Sequence, residues 1–340
     1  MSSALQYLAI LSWVTTVAAL SVTLLRVPLR GTLGARAAYW LWLILPASAL
    51  AVALPRVKET PASPATVIAW DVFGWTWARI ADLIALIHLS GPVSAVVCAV
   101  WALGAGAALA VMVRRQRSFV RSLGTLVPSP DGTWRGRGVA EPLLLGALRP
   151  RVLVPLDFEQ RYGTEERAFV LAHERAHMHR GDTLANAFGA VWLCVFWFNP
   201  VMFWVIRLLR LDQDLACDAA VLVAVGRGSR GRYAEALLKT QLAGERTLPL
   251  PLACHWRSVH PLRRRIAALR GPVAGRIRHW IGTLCVATVV ATVTLGAHAI
   301  QPCLHAAASA AFAPSSHMLG GVCRPGRSAA HAGRQARLHG

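Results

Sequence analysis

The chain has 340 residues, 55% of them hydrophobic and only 15% charged. Soluble domains carry about 25% charged residues, so this composition excludes a disordered or ordinary soluble chain and points to a bilayer. A net charge of +20 would suggest nucleic acid in a soluble protein, but here the arginines flank apolar runs. That is the pattern of membrane orientation, so no direct nucleic-acid binding is expected.

Residues 4–25, 37–54, 92–113 and 281–300 are apolar over about the 20 residues that a spanning helix needs. The first lacks a basic leader and reads as an uncleaved anchor. Arg26, Arg30 and Arg36 follow it, Arg114, Arg115, Arg117 and Arg121 follow the third, and Arg264, Arg265, Arg270, Arg276 and Arg278 precede the fourth. The positive-inside rule then puts residues 114–280 in the cytoplasm, and the connection 55–91 and the tail 302–340 outside. The predicted order is three spans within 1–113, a domain over 114–280, a fourth span over 281–301 and the tail. The tail is rich in Ala, Gly, Arg and His and has no acid, which predicts disorder. Within the connection, residues 75–89 read as an interfacial helix.

The cytoplasmic segment opens with short strands at 142–145 and 151–154, and the second could pair with an extended substrate. A helix should start at Thr164 as N-cap, carry Glu165 and Glu166 in its first turn and stop at Gly181. The uncharged run 183–206 is broken by Asn199-Pro200, predicting two helices that meet there, packed in a core or lying against the membrane. Further helices are expected over 202–225, 233–242 and 261–269.

His173-Glu174-Arg175-Ala176-His177 is an HExxH motif on the first of these helices. Spacing i, i+4 puts both imidazoles on one face, where they can share one Zn²⁺, and Glu174 beside them can act as general base. Downstream, Asp212, Asp214 and Asp218 form an acidic cluster in a chain with only 16 acids. Asp214 and Asp218 share a face, and either could supply a third ligand. Asp182 or Asp218 could orient a ligand histidine, with Arg180 nearby, while His179 points off the ligand face.

Taken in order and spacing, HERAHMHRGDTLAN, WFNP and DQDLACDAAV, with GALRPRVLVP before them and PLRRRIAALR after, resemble the membrane metallopeptidases of the BlaR/MecR type, the antirepressor sensors of β-lactam resistance. The resemblance covers about residues 1–300. It implies a mostly α membrane protein, with four transmembrane helices and a cytoplasmic zincin-like α+β metallopeptidase domain between the third and fourth. It also implies zinc on His173 and His177 with Glu174 as the catalytic glutamate. The family's third ligand is the glutamate of an ExxCD motif. Asp214 stands there, ahead of Cys217 and Asp218, with a side chain one methylene shorter. Asp218 is then the fallback ligand.

The implied activity is zinc-dependent endopeptidase action, in signal transduction at the inner membrane, on a cytoplasmic protein such as a DNA-binding repressor, or on the chain itself. A homodimer is compatible with this. The alternative is a catalytically weak or inactive relative acting as a membrane receptor or scaffold. The β-lactam sensors of the family carry an outer penicillin-binding domain. Here no SxxK motif occurs and Lys58 and Lys239 are the only lysines, so acylation by β-lactam is not expected.

Overall fold

The computed structural model describes residues 3–53, 91–243, 254–255, 259–271 and 274–310. The expected interfacial helix at 75–89 lies outside these, as does the tail from 311 onward. Contacts divide the chain into two units: Met1–Thr15 with Leu43–Ala95 and Thr288–Gly340, and Thr16–Trp42 with Val96–Ala287.

The N-terminal helix α1 (Ser3–Leu33) is followed by a short helix α2 (Ala35–Ala38), a 3-10 turn (Tyr39–Leu43) and α3 (Ile44–Ala53). Helix α4 covers Gly91–Ser122. The last helix, Arg276–Ala310, continues past Pro302 into the residues where composition predicted disorder. Among the described residues four helical stretches are long and apolar enough to cross a membrane: Tyr7–Leu33, Ala35–Ala53, Gly91–Ser122 and Arg276–Thr294. Leu24, Leu103 and Leu284 on them are largely exposed, as suits lipid rather than water. The first stretch includes Arg26 and Arg30, which the sequence reading placed in a loop beyond it.

Five short strands follow α4: β1 (Val127–Pro128), β2 (Trp134–Gly136), β3 (Leu143–Leu145), β4 (Arg151–Pro155) and, much later, β5 (Cys254–His255). They form one sheet in the order β1-β2-β4-β3-β5. Strand β4 pairs in parallel with β2 and antiparallel with β3, so both its edges are occupied. This corrects the expectation that it could accept a substrate strand, because its backbone donors and acceptors are already used. Alternation along β4 buries both faces of the sheet. Val152 and Val154 join a helical core with Phe158, Phe169, Val221 and Tyr233, while Leu153 packs on the other side with Leu123, Val139 and Leu143.

After a one-turn helix α5 (Phe158–Arg161) comes α6 (Thr164–Arg180). Its N-cap is Gly163, not Thr164: the Glu166 carboxylate accepts the Gly163 N–H at 2.8 Å. The end is as expected, with Gly181 in the left-handed region at φ 70°. That turn costs a residue with a Cβ about 1 kcal/mol or more, and glycine nothing. Helix α7 (Asp182–Val195) starts at once on the far side of Gly181.

Helix α8 (Pro200–Val225) begins where Asn199-Pro200 predicted. The Asn199 side chain accepts the Val201 N–H at 3.0 Å, and proline fits the first turn because its missing N–H is not needed there. Leu184, Phe188 and Val191 form an exposed stripe on α7, with Phe203 and Trp204 exposed on α8. This pair of helices therefore keeps an apolar outer surface and is not a buried core hairpin. Helices α9 (Arg230–Ala243) and α10 (Val259–Leu269) complete the surroundings of the site.

Candidate metal centre

His173, Glu174 and His177 lie on the buried face of α6. The two Nε2 atoms face each other at 3.1 Å. Each Nδ1 is turned away and bonded. His173 Nδ1 lies 3.0 Å from the Tyr233 hydroxyl and 3.2 Å from Asp218 Oδ1. His177 Nδ1 lies 2.6 Å from Asp182 Oδ2. Tyr233 donates to Asp218 at 2.7 Å, so its oxygen is left to accept from His173 Nδ1–H. When neutral, both rings are thus set with Nδ1–H toward their partners and the Nε2 lone pairs toward each other. Two lone pairs at that distance repel unless a proton or a metal cation lies at them. Two nitrogens sharing a tetrahedral ion through bonds of about 2.0–2.1 Å stand roughly 3.3 Å apart.

Helix α8 brings the remaining donors. Asp214 Oδ1 is 3.5 Å from His177 Nε2. Cys217, fully buried one turn on, offers a sulfur, and its ligand atom and those of both histidines all lie within 4.8 Å of one another. The donor set of imidazole, carboxylate and thiol is one that a transition metal accepts. Asp218 does not face the Nε2 atoms; it stands behind His173. There the Arg265 guanidinium grips it with two bonds, Nε to Oδ2 at 2.8 Å and Nη2 to Oδ1 at 2.7 Å. Asp182 is held likewise behind His177 by the Arg180 guanidinium and by the Tyr39 hydroxyl, which donates to Oδ1 at 2.9 Å.

The third acid of the cluster, Asp212, points elsewhere. It accepts from Arg26 Nη1 at 2.9 Å and from the Trp42 indole at 3.0 Å, and Arg30 approaches to 3.4 Å. His179 is exposed.

Electrostatics separate the two histidines. Burial, together with the Arg265 cation, pushes His173 down to about 4. Its partner is buried too, but the Cys217 sulfur and the Asp182 and Asp214 carboxylates around it raise His177 well above the usual value. Burial opposes ionisation of Asp218, yet Arg265 holds it far below the usual carboxylate range. Burial raises the Cys217 thiol.

Sequence reasoning did not single out Cys217, Tyr39, Tyr233 or Arg265 at this site. For Arg265 a signal existed: it recurs on one face of an amphipathic helix with Leu262, Ile266 and Leu269, which pack on the core.

Two helix-borne histidines with a carboxylate behind each ring could hold a metal ion here. The chain belongs to the BlaR1 peptidase M56 family, whose pattern it matches over residues 7–269. That membership makes it a relative of metallopeptidases. It is 30% identical over 132 residues to the regulatory protein BlaR1 of Bacillus licheniformis, covering 38% of this chain and 22% of that protein. To the methicillin resistance mecR1 proteins of Staphylococcus aureus (strain Mu50 / ATCC 700699) and Staphylococcus epidermidis it is 25% identical over 104 residues, 31% of this chain and 18% of theirs. The matched stretch thus spans about a fifth of the length of these curated relatives.

Proposed function

We propose that the protein is a zinc-dependent endopeptidase of the cytoplasmic membrane, with residues 114–280 on the cytoplasmic side. The observation that carries this is the pair of Nε2 atoms 3.1 Å apart, with His177 Nδ1 bonded to Asp182 and His173 Nδ1 to the Tyr233 hydroxyl beside Asp218, which fixes both tautomers. His173, His177 and Asp214 would hold the ion. Bound there, zinc would polarise the scissile carbonyl and lower the pKa of a coordinated water toward about 7. Glu174, buried beside both histidines, takes a proton from the attacking water and passes it to the leaving amine. Asp182 and Asp218 keep the two rings oriented. The substrate is a cytoplasmic protein, either a DNA-binding repressor, as the family likeness suggests, or the chain itself. The arginines at the ends of the apolar helices support the orientation, and the exposed apolar stripe of α7 and α8 supports a seat against the bilayer.

One observation favours a second reading, a weak or inactive relative serving as a receptor or scaffold. Asp214 is short for its position and its other oxygen lies 3.7 Å from Arg265.

The test uses the full chain in detergent with an unstructured polypeptide substrate. Glu174→Gln should keep about one zinc per chain and lose activity by roughly 10²–10⁴-fold. His177→Ala should lose the zinc. A zinc-loaded Glu174→Gln variant as active as the parent would remove the peptidase mechanism, and a parent that retains signalling but never cleaves would favour the scaffold.

A further inference from the structure

We infer that Tyr39, in the 3-10 turn between α2 and α3, is a positioning residue of the metal centre, so that the centre is incomplete without that N-terminal segment. This rests on the zinc reading above. Tyr39 is buried, and its hydroxyl donates to Asp182 Oδ1 at 2.9 Å. Asp182 Oδ2 in turn faces His177 Nδ1 at 2.6 Å. The hydroxyl oxygen also accepts from Gln213 Nε2 at 3.4 Å, which orients its proton toward Asp182. The ring lies under the Arg180 guanidinium at 4.8 Å, and that cation also bonds Asp182 and the Gln213 carbonyl. Tyr39 therefore closes a chain of contacts from a helix of membrane-spanning length to a metal-facing imidazole.

The chemistry explains why the hydroxyl matters. A carboxylate behind a ligand histidine works only if its own lone pairs are held in one direction. Asp182 has two oxygens. Oδ2 serves His177 and Arg180, while Oδ1 takes its short bond from Tyr39, with Arg180 Nε farther off at 3.4 Å, so Tyr39 is the main restraint on Oδ1. Loss of such outer partners typically costs 10–100-fold in metal affinity. The segment 114–280, although it carries every candidate ligand, lacks this contact. The catalytic segment and the Tyr39 turn thus share one site.

The experiment measures zinc affinity of the full chain in detergent by chelator competition, with no activity readout. Tyr39→Phe removes one oxygen and should weaken zinc about tenfold, while the metal-free protein still unfolds cooperatively at a modestly lower midpoint. Trp42→Phe, in the same turn but bonded to Asp212, should bind zinc as the parent does. Asp182→Asn should weaken zinc, and adding Tyr39→Phe to it should cost less than twofold more, since the two act in series. Unchanged affinity in Tyr39→Phe, an equal loss in Trp42→Phe, or additive losses in the double variant would overturn the inference. A parent chain that takes up no zinc would instead remove the reading on which it rests.

Discussion

The two histidines are braced by matching constructions drawn from different parts of the chain. Behind each ring stands an aspartate, and on each aspartate sit an arginine and a tyrosine. For His173 these are Asp218, Arg265 and Tyr233, from α8, α10 and α9. For His177 they are Asp182, Arg180 and Tyr39, from the α6–α7 junction and the 3-10 turn before α3. The difference is in charge balance. Arg265 reaches to 3.4 Å from His173 Nε2 and disfavours a proton there. The corresponding nitrogen of His177 faces Asp214 instead, which favours one. One ring is kept as a ready neutral donor, and the other must give up a proton before it can bind metal.

The largest effect should come from breaking the first brace. Arg265→Leu strands a buried aspartate and should cost about 3–5 kcal/mol, read from chemical unfolding in detergent. Adding Asp218→Asn should recover much of it, since the uncompensated charge is then gone. The second brace is tested through metal rather than stability. Asp182→Ala should lower zinc affinity by about 10–100-fold, and an unchanged affinity would mean that His177 needs no orientation.

The contrast between the rings also has a pH consequence. In the metal-free fold the raised His177 gives stability that is complete below its ordinary value of 6.5 and is lost as pH rises through the folded value. Zinc must displace that proton, so affinity should climb about tenfold per pH unit until the folded value is passed and then level off. A flat profile in that window would show that His177 is already neutral. At the small end, Arg232→Ala breaks an exposed pair with Glu165 that touches neither brace. It should change stability by less than about 1 kcal/mol and leave zinc affinity alone.

Much of this was legible in the sequence where a single residue decides the backbone. Gly181 ends α6 and Asn199-Pro200 starts α8 because left-handed glycine and N-terminal proline have few other uses. HExxH names its own helix face. The strands β1, β2 and β5 escaped notice because two or three residues carry no readable alternation, and β4 lost its proposed substrate role only once its neighbours were known. The braces were half visible. Asp182 and Asp218 stand near the histidines or the acidic cluster in the chain, but Tyr39 and Arg265 are 143 and 47 residues from the acids they hold. The spacing of Arg265 with Leu262, Ile266 and Leu269 marks it as core-facing, but nothing local names the distant carboxylate it holds, and nothing marks Tyr39 at all. The role of Asp212 was hidden for the same reason, since its partners Arg26 and Trp42 lie far back in the chain.

The left-handed turn at Gly181 reaches beyond helix termination. Because α6 ends there and α7 departs at once, the side chain of the next residue folds back onto a ring five positions earlier. Were the acid moved one place along α7, it would swing about 100° around the axis and leave the imidazole. The interval from His177 to Asp182 therefore works as a molecular ruler: insertion or deletion of a single residue within it should weaken metal capture about as much as losing the acid does, even with every ligand intact.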